Sequence, residues 1–154
     1  MDTKDLHDKG LKLRKEMFGN DAVEQRMRSF GAFGEPLQNI INAYAYGDGW
    51  SRSALPPATK SLAMIGMMAA AGRANELRVH LKGALANGCT AQQIQEILLL
   101  VAMTYHSYLG TAVVIEDYVH GVGMKLLSLL ALRFAYVLVC GAGVFAILRI
   151  VMRP

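Results

Sequence analysis

Apolar residues recur along this chain at helical spacing, and no stretch alternates as a strand would. Residues 3–18 place Leu6, Leu13 and Met17 on one face and stop at Gly19-Asn20, which predicts a first helix. Asp21 with Glu24 three places on has the form of a capping box, opening a short helix to about Phe30. A glycine-rich turn is expected from Gly31 to Gly34. Pro36 then suits the first turn of another helix, with Leu37, Ile40, Ile41 and Tyr44 as its buried stripe and Gly47-Asp48-Gly49 as its break. Pro56 and Pro57 precede a Met- and Ala-rich helix over 58–71, apolar enough to be buried nearly all round. Asn75 is placed to cap a helix over 76–86 with Leu77, Leu81 and Leu85 on its apolar side. Thr90 and Gln93 form a second capping box, opening 91–103 with Ile94, Ile97, Leu98 and Val101 inward. The expected fold class is all-α.

The last third changes character. From Leu126 to Met152 the chain is almost wholly apolar, and its longest uncharged run, Phe134 to Leu148, is shorter than the roughly 18–20 residues a bilayer span requires. Residues 121–154 carry Lys125, Arg133, Arg149 and Arg153 and no acidic residue. A membrane anchor over 126–152, a helix buried in an oligomer, and an extension outside the native fold all fit this pattern. The expected organisation is one helical domain over 1–120 followed by an apolar tail over 121–154.

At 154 residues the chain is long enough for one domain with a core, and 53% hydrophobic against 18% charged residues excludes disorder. A net charge of +4 without a basic stripe interleaved with aromatics makes nucleic acid an unexpected partner. Cys89 and Cys140 form neither a disulfide framework nor a CxxC pair, and no Cys/His spacing suggests a metal site. The polar N-terminus, MDTKDLHDKG, has no apolar signal region, so a cytoplasmic core domain is expected.

Candidate chemistry gathers between Trp50 and Glu96. Glu76 and His80 are four apart on one predicted helix, so their side chains share a face. That spacing suits a catalytic acid–base pair, the carboxylate raising the imidazole's pKa, and equally suits an exposed pair without a role. Arg52 and Lys60 flank the proline turn and offer cations to a substrate carboxylate; surface charge at a helix start has the same appearance. Trp50 is placed to wall a pocket or to pack a core, and Glu96 to face a helix interface or solvent.

Several stretches carry a resemblance: GLKLRKEMFG, YAYGDGWSRSAL, TKSLAMIGMMAAAGR, ELRVHLKGALANGCT and IQEILLLVA, in order across about residues 6–102. Together they resemble the carboxymuconolactone decarboxylase family, within the alkylhydroperoxidase D-like superfamily. The resemblance implies an all-helical subunit that assembles as a homo-trimer or homo-hexamer. It also implies cofactor-free decarboxylation of 4-carboxymuconolactone to β-ketoadipate enol-lactone in aromatic catabolism. His80 would be catalytic with Glu76, and Trp50, Arg52, Lys60 and Glu96 would bind the carboxylated lactone; no metal or organic cofactor is implied. The superfamily's peroxidase-type redox chemistry is a second expectation, although the positions four and seven before His80 are Glu76 and Arg73 rather than a dithiol. A third is a non-catalytic helical oligomer tethered by its tail. After Ala102 the chain leaves the family's pattern and reads MTYHSYLGTAVVIEDYVHG before the apolar tail.

Overall fold

A computed structural model describes residues 2–151, with side chains described for 2–139 and 142. Among these residues every regular element is helical, as expected. In chain order the elements are α1 (Thr3–Phe18), α2 (Asn20–Ser29), α3 (Gly31–Ile40), a π-helical segment (Ile41–Trp50), α4 (Pro57–Ala70), α5 (Ala74–Ala86), α6 (Ala91–Tyr118) and α7 (Val122–Val151). The chain divides into two compact units, Met1–Val101 and Ala102–Pro154. The sequence-based boundary at 120/121 falls instead at the short break between α6 and α7.

The first unit has two packing centres. One gathers Ile65 of α4, Ala84 of α5, Cys89 and Ile94 of α6, covered by Ala58, Leu62, Leu77, Leu81, Ile97 and Leu98. Its helix ends are set by local hydrogen bonding. Gly72 and Gly88 adopt φ of 66° and 87°, which glycine reaches without a Cβ penalty. Each closes a Schellman motif, with Arg73 N–H on Met68 O at 2.9 Å and Cys89 N–H on Ala84 O at 2.9 Å. α5 is thus bracketed by two such stops. The Thr90/Gln93 capping box forms as expected, with Thr90 N–H donating to Gln93 Oε1 (2.9 Å) and Gln93 N–H to Thr90 Oγ1 (3.1 Å).

The other centre is the contact of α1 with the π segment, and here the sequence reading needs correction. Gly31 to Gly34 is not a turn but the first part of α3, separated from α2 by Phe30 alone, and Pro36 lies inside that helix. Gly47-Asp48-Gly49 does not break the helix; the chain passes into π geometry and runs on to Trp50, where Ser51 N–H reaches Tyr46 O at 3.1 Å. The predicted stripe is not the buried one: Leu37, Ile40 and Tyr44 are exposed, while Gln38, Asn42, Ala43 and Gly47 face inward. Arg14 supplies the reason. Its side chain is only 5% exposed, and a buried guanidinium requires acceptors. Arg14 Nη1 donates to Gln38 Oε1 and Asn42 Oδ1, both at 2.9 Å, which fixes the polar edge of the helix toward α1.

Three smaller expectations also change. The Asp21/Glu24 capping box is absent because Glu24 accepts from Lys15 Nζ at 2.9 Å, tying α2 to α1. Asn75 lies within α5, whose N-cap is Arg73. The α4 helix is not buried all round: Ser61 and Ile65 are buried, whereas Met67 is exposed.

In the second unit the tyrosine rings of Tyr105, Tyr108 and Tyr136 pack in series, with centroids 6.3 and 5.2 Å apart. Lys125 Nζ donates to Glu116 O at 2.7 Å across the turn into α7. None of the unit's described side chains is fully buried. By length and composition two stretches, Ala91–Tyr118 and Val122–Val139, are long and apolar enough to cross a membrane, with mean hydropathies of 1.6 and 1.8. The expected run Phe134 to Leu148 lies in α7, its side chains beyond 139 largely outside the described set, and Met152 lies outside the described residues.

Candidate functional site

Four rings from three elements close into a circuit in the first unit. Phe18 ends α1, Tyr46 and Trp50 lie four apart on the π segment, and His80 lies mid-way along α5. Trp50 stacks on His80 (centroids 6.5 Å apart, planes 12° apart) and on Tyr46 (6.3 Å, 19°). Phe18 meets His80 (5.7 Å, 84°) and Tyr46 (6.0 Å, 86°) edge-on, the geometry aromatic quadrupoles favour. Space for the Phe18 ring comes from Gly83, one turn beyond His80, where a Cβ would lie 2.5 Å from Phe18 Cε1.

Burial within this aromatic wall shapes the electrostatics. Desolvation is the main cause that moves the His80 pKa below its usual 6.5, the positive charge of Arg26 adds to it, and Glu76 opposes both. His80 is therefore mostly neutral at pH 7, the reverse of the raised pKa expected from the Glu76 pairing alone. Burial likewise pushes the Tyr46 phenol up, against the charges of Arg14 and Arg26. The Arg14 guanidinium lies 5.6 Å from the Tyr46 ring centroid.

Of the residues singled out in the sequence, the structure brings together His80 and Trp50. Glu76 is exposed one turn before His80 and, among the described residues, makes no hydrogen bond to it. Arg52 is exposed and held by Asp48 through two bonds, Nε to Oδ1 at 3.2 Å and Nη2 to Oδ2 at 2.7 Å. Lys60 Nζ donates to the carbonyls of Trp50 (2.8 Å) and Arg52, so it fastens the chain that carries Trp50. Glu96 is exposed on α6 and accepts from Gln92 Nε2 at 3.4 Å. Sequence reasoning missed Phe18, Tyr46, Arg14 and Arg26. Their signal was weak: an Arg in a helical pattern reads as solvated, and π spacing aligns Tyr46 with Trp50 where a glycine-rich break is the ordinary reading.

Among the described residues no group of three His, Cys, Asp or Glu side chains is placed to hold a metal ion. Cys89 is buried, its Sγ–H donates to Ala58 O at 3.3 Å, and burial pushes its thiol pKa up, which disfavours the thiolate that redox chemistry needs. The side chain of Cys140 lies outside the described set. Two surface depressions lie along α1, away from the ring circuit. One is lined by Leu11, Lys12 and Lys15 among others, and one of about 280 Å³ by His7, Asn39 and Tyr44 among others. Both are open to solvent.

Comparison with known proteins identifies the family. The model of the carboxymuconolactone decarboxylase family matches residues 35–108, a span holding Tyr46, Trp50 and His80. The chain is 35% identical over 99 residues to 4-carboxymuconolactone decarboxylase of Acinetobacter baylyi, covering 64% of this chain and 74% of that one. It is 35% identical over 111 residues to nitrosuccinic acid decarboxylase of Metarhizium robertsii, covering 72% and 75% respectively. No solved structure matches. The all-α unit, its fold of the alkylhydroperoxidase D-like kind, and two decarboxylase relatives matched over about three-quarters of their length lead to one assignment: the chain belongs to the carboxymuconolactone decarboxylase family.

Proposed function

We propose that the protein is a cofactor-independent decarboxylase of 4-carboxymuconolactone, yielding carbon dioxide and β-ketoadipate enol-lactone in aromatic catabolism. The observation that carries this reading is His80, a half-buried imidazole held between Trp50 and Phe18 within the field of Arg26. The reaction needs little more. As carbon dioxide leaves, the electron pair of the broken bond moves through the ring double bond to the lactone carbonyl, giving a dienolate. The site must stabilise that oxygen and return one proton to ring carbon. His80 supplies the proton as imidazolium. Apolar rings beside the departing carboxylate weaken its solvation and favour the neutral product. Glu76 tunes His80 through its charge, and Trp50 forms the wall.

The substrate names of the two relatives support the same chemistry. Each denotes a carbon that bears a carboxylate, a CH2-carboxylate arm and an electron sink, a nitro group in one and an unsaturated lactone in the other. An active site for either must hold the arm, release the first carboxylate and stabilise charge on the sink's oxygen.

The reading has a pH signature. His80 titrates below 6.5 in the free protein, so the protonated form needed as acid declines as pH rises through that value. A bound dianion favours imidazolium and shifts the titration upward in the complex. For the purified protein assayed with 4-carboxymuconolactone, kcat/KM is expected to fall with rising pH already below the ordinary imidazole range, while kcat holds to higher pH. Absence of lactone turnover rejects the reading. A kcat/KM that instead climbs through pH 6–8 rejects His80 as the acid.

The partner set proposed with this function is the carboxylated lactone and further copies of the chain, as a homo-trimer or homo-hexamer in the cytoplasm. Support for assembly comes from a stripe on α3 and the π segment, where Phe33 is 100% exposed and Leu37, Ile40 and Tyr44 are more than half exposed. Closed cyclic packing would cover it and supply a facing wall to the ring circuit. Residues 126–152 are proposed to add membrane contact. By light scattering, Phe33→Asp with Ile40→Asp should reduce the particle to a single chain of 16.8 kDa. Removing residues 121–154 should raise solubility in detergent-free buffer. A wild-type mass of one chain rejects the assembly, and equal solubility with and without the tail rejects the membrane contact.

A further inference from the structure

We infer that Arg14, aided by the nearby charge of Arg26, forms the subsite that receives the retained carboxylate of the substrate. The inference rests on the reading of the ring circuit as the site of a carboxylated substrate, and it assigns the anion-binding role to residues that the sequence pattern did not single out.

Arg14 is 5% exposed, yet its acceptors are neutral amide oxygens, and both are reached from the single nitrogen Nη1. Among the described residues no carboxylate lies in ion-pair range of it. Nε and Nη2 make no bond to a described residue. Because no buried side-chain nitrogen or oxygen among the described residues lacks a partner, these two nitrogens must reach solvent. The result is a guanidinium sunk in protein, uncompensated in charge, with one edge spent on the fold and the other free. A buried charge of that kind is costly when unpaired and is relieved by an anion. The free edge of an arginine fork matches a carboxylate in bidentate geometry.

Its position fits the reaction. Arg14 lies against the face of Tyr46, which belongs to the same ring circuit as His80. Arg26 adds a second positive charge felt by Tyr46 and by His80; among the described residues it has no ion pair, its guanidinium lying 5.9 Å from the Phe30 ring. Other cations nearby are spoken for: Arg52 by Asp48, Lys15 by Glu24 and Lys60 by two backbone carbonyls. The role must be to hold the arm and not the departing carboxylate. A cation on the departing group would stabilise the ground state more than the transition state, since negative charge leaves that group as the bond breaks.

Trp50 is the single tryptophan of the chain and stacks on both Tyr46 and His80, so its fluorescence reports occupancy without turnover. Succinate, a non-reacting dicarboxylate, is the probe, titrated into the full-length protein. A saturable change is expected, weakened at least tenfold by Arg14→Lys, a few-fold by Arg26→Gln, and left within twofold by Arg78→Gln, an exposed α5 arginine outside the ring circuit, with far-UV circular dichroism matched among variants. Unchanged affinity in Arg14→Lys overturns the inference, as does loss in Arg52→Gln with none in Arg26→Gln. Should Arg14→Lys unfold, Arg26→Gln at its exposed position decides, and unchanged affinity there overturns it. Arginine-dependent succinate binding in a protein that leaves the lactone intact would retain this subsite and remove the proposed reaction. Lactone turnover with wild-type KM in folded Arg14→Lys and in Arg26→Gln would do the opposite.

Discussion

Replacing His80 with alanine is expected to lower lactone turnover by about 100-fold or more, the usual scale for loss of a general acid, with helicity unchanged. The side chain is half-buried rather than central to a core: it packs on Phe18 and Trp50 but is not among the buried residues around Ile65 and Ala84. Its removal therefore costs chemistry more than folding. His80→Gln keeps a hydrogen-bond donor of similar reach but cannot carry the proton, so it should retain substrate affinity and lose kcat. If the alanine variant turns over the lactone within a few-fold of wild type while folded, His80 is not the acid.

The second large effect falls on stability. Gly10 and Gly47 are where α1 and the π segment touch backbone to backbone. A Cβ on Gly10 would overlap the Asn42 carbonyl oxygen and lie 2.5 Å from Gly47 N; a Cβ on Gly47 would overlap the Leu6 carbonyl oxygen. No flexible side chain stands there to yield, so the two elements must separate. Gly10→Ala is expected to cost about 3 kcal/mol, at the upper end of the range for overpacking. That corresponds to a thermal midpoint lower by roughly 10 °C in a chain of this size. Separation would also pull Asn42 and Gln38 from Arg14 and move Tyr46 and Trp50 relative to Phe18, so activity should fall with stability. Gly110→Ala is the control: nothing lies within 4 Å of its Cβ position, and alanine in a helix gains about 1 kcal/mol over glycine. Calorimetry or thermal circular dichroism of the two variants decides. Equal midpoints for Gly10→Ala and wild type would mean the close approach is not what holds α1 in place.

Much of the fold was legible in the sequence because it depends on local chemistry. The Pro56-Pro57 start of α4 and the Thr90/Gln93 capping box each act within a few residues, and both are found where expected, while the glycine stops at Gly72 and Gly88 rest on equally local geometry. These features placed α5, and with it His80, in the right register. The adjacency of Trp50 to His80 was suggested only through resemblance, since 29 residues and the whole of α4 lie between them.

What the tertiary structure decided begins with Arg14. Periodicity counts an arginine as exposed and apolar residues as inward, and it therefore assigned Leu37, Ile40 and Tyr44 to the interior. Burying one guanidinium reversed that choice, because its bonds demanded Gln38 and Asn42 on the α1 side. The paired glycines then allowed the π segment to lie directly on α1, which carried Tyr46 and Trp50 to Phe18 and His80. The His80 titration was decided in the same way: its sequence neighbour Glu76 predicts a raised pKa, while desolvation by rings from two other elements and the charge of Arg26 from α2 lower it. Sequence alone determined the helical class, most helix starts and the residue types available for decarboxylation, but not the path through Gly47-Asp48-Gly49 or through Gly31 to Gly34. Only the packing of α1 against the π segment decided which cations stay unpaired and which rings surround the imidazole, because burial and charge pairing are set by residues distant along the chain.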